Sequence, residues 1–467
     1  MTRAGCGAIR RRGRRSALPG AGERALKTHV SAAFQATLAG GLGLLLAHGG
    51  VRASAFHLPE LSAAGIGLAN ALVANPEERG AFPFNHAAMG FHEGSSIALG
   101  AAFINPNFSV TTDRKHEGIG TDWVTTPLIQ GMAEVHEQWR FGFGVGAPFG
   151  LETRWPIGTF PELTGSRGSL AVPVAPGVVV PVAIPRGDHP TLSKLEIVAL
   201  APSVAYRVNE QLSIAAGLDY YKARETRLDS TLQELEGDGD GWGWNLSFLY
   251  ADGPWSVGAA YFSAATLGIE GSVTIIDDFV ALASTGFGQF APVVTPAKVD
   301  LDLPWRLQVG FRYELNEAVA VELDWSRTGW SRFDTLEIRR SSDGSLLGNN
   351  TNKFDDSNAY RLGVTYAVLP RTQLRFGYTY DETGQGDEHF SPRIADSDRH
   401  LFSVGAAQDL GEGWAVEAGY LYVMFNDRKY ASATPYRLGG EINGTAALNG
   451  RYEAHAHLLG VELRKTF

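Results

Sequence analysis

The sequence predicts an all-β protein, a 14-stranded antiparallel transmembrane β-barrel with an N-terminal hatch (plug) in its lumen. Three observations predict it. Apolar and polar residues alternate with period two through long segments, the signature of a sheet with one apolar face. Beyond residue 55 no apolar run approaches the ~20 residues of a membrane helix, so this chain could cross a membrane only as a closed barrel. The chain also stops in mid-strand, on "LLGVELRKTF", with Leu459, Val461, Leu463, Lys465 and Phe467 on one face. Chain ends are ordinarily frayed and polar. An aromatic end suits a last strand that is paired with the first to its final residue.

Composition and charge agree. The 467 residues include 56 Gly and only 19% charged residues, against roughly a quarter in an ordinary soluble chain. The single cysteine, Cys6, lies in the segment expected to be removed, so no disulfide framework is expected. Residues 1–55 read as a secretory signal peptide: "RRRGRR" (Arg10 to Arg15), the short apolar "ATLAGGLGLLLAHGG" (Ala36 to Gly50), then "ASA" (Ala53 to Ala55) for cleavage before Phe56. Arg14-Arg15 also permits a twin-arginine reading. Removal leaves 31 basic and 49 acidic residues, a net charge of −18. So acidic an exported chain is a poor nucleic-acid binder.

Residues 56–94 are rich in small residues and do not alternate. The segment is too short to fold alone, so a hatch held by the barrel wall is expected over a separate periplasmic domain. The barrel follows at 95–467. Its fourteen strands are expected near 95–111, 126–137, 139–149, 193–208, 211–226, 241–251, 255–273, 301–314, 318–333, 358–368, 372–383, 398–409, 413–428 and 453–467. In "PWRLQVGFRYEL", Trp305, Leu307, Val309, Phe311 and Tyr313 alternate with Arg306, Gln308, Gly310, Arg312 and Glu314. "AVAVELDWSR", "AYRLGVTYAV" and "TQLRFGYTYD" repeat the pattern. A soluble sandwich would give the same alternation. Trp and Tyr near strand ends, as in aromatic girdles, and connections alternating between short and long favour the barrel. The short turns are Glu137-Gln138, Asn209-Glu210, Asp252-Gly253-Pro254, Asn316-Glu317, Pro370-Arg371 and Gly411-Glu412. Lys465 departs from the apolar pattern, at a cost of about 0–1 kcal/mol near a membrane boundary.

Five segments in this order resemble the FadL/TodX hydrocarbon and long-chain fatty acid transporters of Gram-negative outer membranes. They are "AFHLPELSAAGIGLANA", "GWGWNLSFLY", "VELDWSRTGWSRF", "SPRIADSDRHLFSVG" and "GRYEAHAHLLGVELRKTF". The resemblance implies an outer membrane channel for passive uptake of hydrophobic compounds, fatty acids or aliphatic and aromatic hydrocarbons. Outer loops would capture the substrate, which would leave sideways into the membrane at a kink in strand 3. That kink would fall at Gly146, Ala147, Pro148, Phe149 and Gly150; the other reading of Pro148 is that it ends the strand. In the hatch, Asn85, His86 and Ala87 stand where the family usually has Asn-Pro-Ala.

Two apolar outer loops are the candidates for capture. "LAVPVAPGVVVPVAIP" (Leu170 to Pro185) offers Val178 and Val180. "DFVALASTGFGQFAPVVTP" (Asp278 to Pro296) offers Phe279, Leu282, Phe287, Phe290 and Val293. Equally, the two could pack on each other or fold into the mouth. The Leu228 to Gly241 connection is expected as a short acidic loop. A carboxylate ligand would want a buried cation, and the resemblance places Lys222 and Arg224 near one. A second family cation is replaced by Glu337, which leaves an uncharged ligand open. Arg312, Arg361 and Arg375 are expected to pair with lumen carboxylates.

Enzyme signals are few. His455-x-His457 could bind a metal, but without a third ligand it reads as a polar pair facing the lumen. No cofactor, metal or catalytic residue is assigned. A lipid-acting barrel enzyme, which would need a Ser-His pair at the outer leaflet, is the alternative, with a general porin behind it. The expected partners are outer membrane lipid and lipopolysaccharide, the hydrophobic substrate, and the barrel-assembly machinery through Phe467, for a monomer.

Overall fold

The computed structural model describes residues 55–118 and 123–467. The proposed leader, apart from Ala55, lies outside them. Fourteen antiparallel strands close into a barrel. They are β1 (Ser96–Thr111), β2 (Val124–His136), β3 (Trp139–Arg154), β4 (Pro190–Arg207), β5 (Leu212–Ser230) and β6 (Gln233–Asp252). β7 comes in two segments, Trp255–Phe262 and Ala265–Ile275, and so does β8, Val293–Leu303 and Arg306–Asn316. The ring continues through β9 (Val319–Thr328), β10 (Ser357–Leu369), β11 (Thr372–Asp381), β12 (Arg399–Gly411), β13 (Trp414–Phe425) and β14 (Gly450–Thr466). β14 pairs with β1 from Ser96↔Thr466 to Thr111↔Arg451, so the sheet has no free edge.

Alternation sorts the wall into two faces. Leu99, Leu218, Trp244, Leu323, Phe376 and Val404 are exposed on the outside, while Ser203, Asn245, Gln308, Asp324, Arg375 and Glu417 are buried in the lumen. An apolar exterior around a polar interior is the inverse of a soluble sheet, and hydrocarbon is the solvent that suits it. The ten residue steps from Trp414 to Met424 on β13 run about 33 Å along the strand, or about 25 Å vertically at a tilt of ~40°. Aromatic pairs mark both rims: Trp139 with Tyr206 at 4.7 Å and Tyr250 with Trp255 at 5.3 Å near the short turns, Tyr220 with Trp242 at 4.8 Å toward the long loops. Lys465 lays its ammonium over the Trp414 ring at 5.1 Å and donates to the Glu412 carbonyl, taking its charge out of the apolar band.

Residues 56–94 thread the lumen. A short helix, α1 (Ala63–Gly67), is capped by Ser62, whose Oγ accepts from Gly65 N at 2.9 Å. The wall then caps the hatch backbone. Asp324 Oδ2 accepts from Leu72 N (2.8 Å) and Val73 N (3.0 Å), and Glu322 Oε1 from Ala74 N (2.6 Å). Thr379 Oγ1 donates to Ala69 O at 2.6 Å and Ser403 Oγ to Gly67 O at 3.0 Å. Lower down, Arg375 bridges Glu78 (2.5 Å) and Glu417 (2.6 Å), and Arg464 reaches Glu417 at 2.7 Å. Burial opposes ionisation of Glu78, but Arg375 and Arg464 outweigh it and hold the carboxyl down at about 2. Glycines let the two backbones meet: a Cβ at Gly377 would lie 2.2 Å from Leu68 C, and one at Gly258 2.1 Å from Val73 O.

Several boundaries differ from the sequence reading. β3 passes through Pro148 and runs on to Arg154. The Leu228 to Gly241 segment is not a loop. β5 and β6 extend to Ser230 and Gln233 around a two-residue turn, and Glu234, Glu236, Asp238 and Asp240 ride the outer face of β6. Period two with Gly at alternate positions is strand-compatible, and charge density had masked it. Thr328 ends β9, and Trp330 turns inward on a 3-10 turn, Trp330–Arg332. Val293 opens β8 rather than lying in a loop.

Replacing Asp324 by Ala removes the acceptor for two buried hatch amides, a loss of about 1–3 kcal/mol for each group left unpaired. Hydrogen exchange at Leu72 and Val73 should accelerate while β9 and β10 keep their protection. Unchanged exchange there would show that the carboxylate does not anchor the hatch.

Candidate functional site

The barrel ladder is interrupted beside β3. Ala147 and Pro148 form a bulge: Gly146 pairs with Ala199 and Phe149 with Ile197, so two residues face Val198 alone. Proline has no N–H to give a ladder, and the bulge absorbs it. On the other side, the β2–β3 ladder stops at Ile129↔Val145, although β2 continues to Val124 along β1 and β3 to Arg154 along β4. The two strands part above this point. The first hatch residues fill the lapse from inside. Leu58 N donates to Pro148 O at 2.8 Å, Gly150 N donates to Phe56 O at 3.0 Å, and His57 bridges to Phe149.

A cavity of about 520 Å³ opens at this parting. Its inner side is made by lumen-facing Ile104, Phe108, Phe425 and Leu458, its floor by Phe56 to Leu58, and its other side by Lys194, Glu196 and Val198 on the outward face of β4. Its lining thus includes residues from both faces of the wall. Its floor is held by an aromatic cage: the Phe56 ring lies 4.8 Å from Trp330, 5.2 Å from Phe333 and 6.0 Å from Phe149.

A second, smaller cavity of about 70 Å³ lies deeper, against the hatch, and shares His57 and Phe149 with the first. Phe82 and Phe262 give it apolar walls; Arg306, His57 and Asp219 give it a polar end. Arg306 points here because β7 and β8 both slip phase, at Ser263-Ala264 and Pro304-Trp305, so that the inward set changes from odd to even numbers along β8. Arg306 Nη1 meets His57 Nε2, and its guanidinium lies over the Phe262 ring at 4.3 Å. Burial, with Arg306 second, pushes His57 well below the usual histidine range and keeps it neutral.

Of the hatch residues Asn85, His86 and Ala87, His86 lines this cavity. Asn85 caps its turn by accepting from Ala87 N at 3.0 Å and fastens to the wall by donating to Phe248 O at 2.9 Å. It thus serves without the proline that the family usually has next. His86 Nδ1 meets both Asn245 Oδ1 (2.6 Å) and Ser203 Oγ (3.0 Å). A Ser-His relay passes a proton between two ring nitrogens. Here the hydroxyl and the amide crowd the same one, so the trio is a packing contact rather than a nucleophile.

Of the other sequence candidates, Arg224 borders the larger cavity, beside Glu196, and the rest are placed elsewhere. Lys222 and Arg224 lie on the outward face of β5, paired with Asp238 at 2.6 Å and Glu196 at 3.1 Å; neither supplies a lumen cation. The strand phase puts Tyr221 and Ala223 inside instead. His455 and His457 also face outward, corrected from the lumen: His457 Nδ1 meets the Tyr420 hydroxyl at 2.8 Å in the outer aromatic belt. The apolar loops pack on each other. Ser166–Ala175 and Val178–Pro185 form a hairpin, whose Val172 and Val182 bury against Leu282 of α2 (Asp278–Ser284), with Phe279 and Phe290 alongside. Val178, Val180 and Phe287 remain exposed. Arg312 and Arg375 pair with carboxylates, whereas Arg361 donates to Ser326 Oγ at 2.9 Å. Glu337 pairs with Arg339 at 2.5 Å, outside the lumen. Arg306 and Trp330 were missed. The only signals for them were Pro304, which interrupts alternation, and the Gly329-Trp330 pair after a strand.

The family described as "Outer membrane protein transport protein (OMPP1/FadL/TodX)" matches residues 44–176 and 168–467. The chain is 25% identical over 395 residues to the 47 kDa outer membrane protein of Pasteurella multocida, covering 81% of this chain and 89% of the relative. It is 23% identical over 435 residues to the long-chain fatty acid transport protein of Salmonella typhi, covering 85% and 92%. Among solved structures, a Pseudomonas aeruginosa FadL homologue superposes with a TM-score of 0.72 at 17% identity, covering 89% of this chain and all of that one.

Truncating Phe56 to Ala empties the aromatic cage, a loss of about 3–5 kcal/mol for a buried ring. The Gly150 amide, which donates to the Phe56 carbonyl, should then exchange faster, with Gly142 and Gly144 below it unchanged. A Gly150 amide as protected as before would mean that the ring does not hold this segment.

Proposed function

This chain belongs to the FadL/TodX family of outer membrane transport proteins, and from that premise we propose that its hydrophobic substrates leave sideways through the parting of β2 and β3. The channel lies in the outer membrane and carries hydrophobic molecules; the route and the substrate are the proposal. The observation that carries the route is the lapse in the ladder at Ala147-Pro148, filled only by Phe56 to Leu58. The axial way is blocked by hatch segments that the wall grips with carboxylates and arginines, so passage along the axis would break many buried contacts at once. Passage at the lapse asks only that three residues move.

Energetics favour the same direction. A hydrophobic molecule gains about 25 cal/mol for each Å² of apolar surface taken from water. Bilayer interior offers that gain in full, whereas a periplasmic exit would return the molecule to water. The cavity at the parting has apolar lumen residues on one side and the outer face of β4 on the other, so a substrate there is already between lumen and lipid. Capture would fall to the exposed apolar residues above, Val178 and Val180 on the hairpin and Phe287 beyond α2, with the packed core of Val172, Val182 and Leu282 keeping both loops in place. Substrates would be fatty acids or hydrocarbons, as the family resemblance implies.

The test removes the bulge. Deleting Pro148 alone leaves Ala147 opposite Val198 and lets β3 pair without a register shift. In cells lacking other transporters of this kind, uptake of a radiolabelled C18 fatty acid and of toluene should fall about tenfold, equivalent to ~1.4 kcal/mol on the rate-limiting step. Folding is checked by the heat-shifted mobility of the barrel on electrophoresis. Undiminished uptake by a folded variant rules out exit at the parting.

A further inference from the structure

The outer margin of the parting is charged, although the lumen side of its cavity is apolar. The outward face of β4 runs upward through Tyr206, Val204, Pro202, Leu200 and Val198, then changes to Glu196 and Lys194. Arg224 Nη1 lies 3.1 Å from Glu196 Oε1, and Lys194 Nζ lies 2.5 Å from Glu225 Oε2. Lys194, Glu196 and Arg224 line the cavity of about 520 Å³ together with Ile104, Phe108 and Leu458. Two bulges bring these side chains to one place. On the β3 side, Ala147 and Pro148 both face Val198. On the β5 side, Glu225 pairs with Glu196 and Ala223 with Ile197, so Arg224 is an extra residue. The extra residue lets Arg224 and Glu225 both turn outward, each against one of two successive outward positions on β4.

Depth gives the pairs their meaning. Ten residue steps separate Glu196 from Tyr206, which meets Trp139 at the lower rim. The same count carries β13 from Trp414 to Met424, about 33 Å along the strand. The apolar band on β4 therefore ends at Val198, and the ion pairs lie where acyl chains give way to the polar layer of the outer leaflet. The β2–β3 ladder stops lower, at Val145, six steps above Trp139. The parting thus begins against acyl chains and reaches up to head-group level.

We propose that Lys194, Glu196, Arg224 and Glu225 form a polar sill over which the head of an amphiphile crosses while its tail enters lipid, so that exit favours chains with one polar end over alkanes of equal length. This rests on the reading of the parting as the exit. Drawing a hydroxyl or a carboxylate through a wholly apolar gap would strip it of hydrogen-bond partners. At this margin Lys194 and Arg224 donate, and Glu196 and Glu225 accept, so either kind of head keeps partners throughout. An alkane has no head to carry and takes nothing from the sill. The four charges cancel, so the sill reads polarity and not its sign. Ion pairs as exposed as these contribute little to stability, so folding does not require them at the gap.

The experiment measures uptake of radiolabelled dodecanol, dodecanoate and dodecane by cells lacking other transporters of this kind. The native chain is compared with K194M/E225L, with a fourfold variant that adds E196L and R224M, and with the swapped pair K194E/E225K, each checked for a folded barrel by its heat-shifted mobility. The fourfold variant should take up dodecanol and dodecanoate about tenfold more slowly, the scale of one hydrogen bond left unmade, with dodecane within about twofold. K194M/E225L, the milder change, should slow the same two ligands about threefold. K194E/E225K keeps a pair in place and should stay within about twofold of the native chain for all three. Unchanged dodecanol uptake in the fourfold variant overturns the proposal. So does an equal fall for dodecanol and dodecane, because the pairs would then only support the wall. A loss confined to dodecanoate overturns it too, because the margin would then read charge. Deletion of Pro148 separates the two readings. If dodecanol uptake survives that deletion, the exit lies elsewhere and the lateral reading fails. If the deletion lowers uptake and the fourfold variant does not, only the sill falls.

Discussion

In hydrocarbon every backbone N–H and C=O needs a partner from the protein itself, and the rest of this structure depends on that constraint. Closure of β14 on β1 satisfies it around the ring. Where β2 and β3 part, the barrel alone does not satisfy it, and the chain meets the demand from within, with the carbonyl of Phe56 and the amide of Leu58. A wall gap that a bilayer would not tolerate becomes tolerable because the hatch supplies the missing strand for two hydrogen bonds. Plug and wall are thus one construction here: the segment from Phe56 to Leu58 completes the wall where β2 and β3 part.

The lumen's polarity follows from the same exchange. Because the barrel faces lipid outside, its polar residues point inward, and a hatch with few side chains of its own can be held by them. Asp324 and Glu322 act as caps for the hatch amides at residues 72–74, replacing the next turn of a helix that the small-residue sequence cannot sustain. The glycines at 258 and 377 bring wall and hatch backbones within reach of these bonds. The anchoring is uneven. Residues 67–78 are gripped by carboxylates, hydroxyls and two arginines, while residues 56–58 rely on a strand-like pairing, one aromatic cage and the Arg306 contact to His57.

Much of the barrel was legible because its demands are periodic. Leu323 and Trp325 had to face one way and Glu322 and Asp324 the other, so all fourteen strands could be placed. Alternation also names two faces without saying which is lumen, and that is why His455 and His457 went astray. Each is polar and was assigned inward, yet each lies on the outer face near the aromatic belt, where lipid gives way to water and polar groups are welcome. Lys222 and Arg224 were placed near a buried cation by resemblance alone, and the strand phase turns both outward. The acidic stretch from Glu234 to Asp240 failed for a related reason. Charge was read as loop, whereas a strand that rises beyond the membrane has a solvated outer face and can be as charged as any surface. Pro148 was legible as a breaker, but its consequence depends on which strand lies opposite, and no local pattern contains that.

The phase slips in β7 and β8 are the deepest departure from periodicity, and they explain where the polar end of the lumen lies. A strand that kept its register through Pro304 would turn residue 306 toward lipid, where an arginine would cost several kcal/mol at mid-depth. The extra residue at the break turns it inward instead, opposite the β3 bulge. Two irregularities in distant parts of the ring, one at Ala147-Pro148 and one at Pro304-Trp305, thus face each other across His57. Either one alone would be a local defect that neighbouring strands could absorb. Together they place a buried guanidinium and a gap in the ladder on opposite sides of a single neutral imidazole. A rigid, regular barrel could not bring a charge so near its own lipid face without exposing it, and the hatch residue between them is what keeps the charge covered.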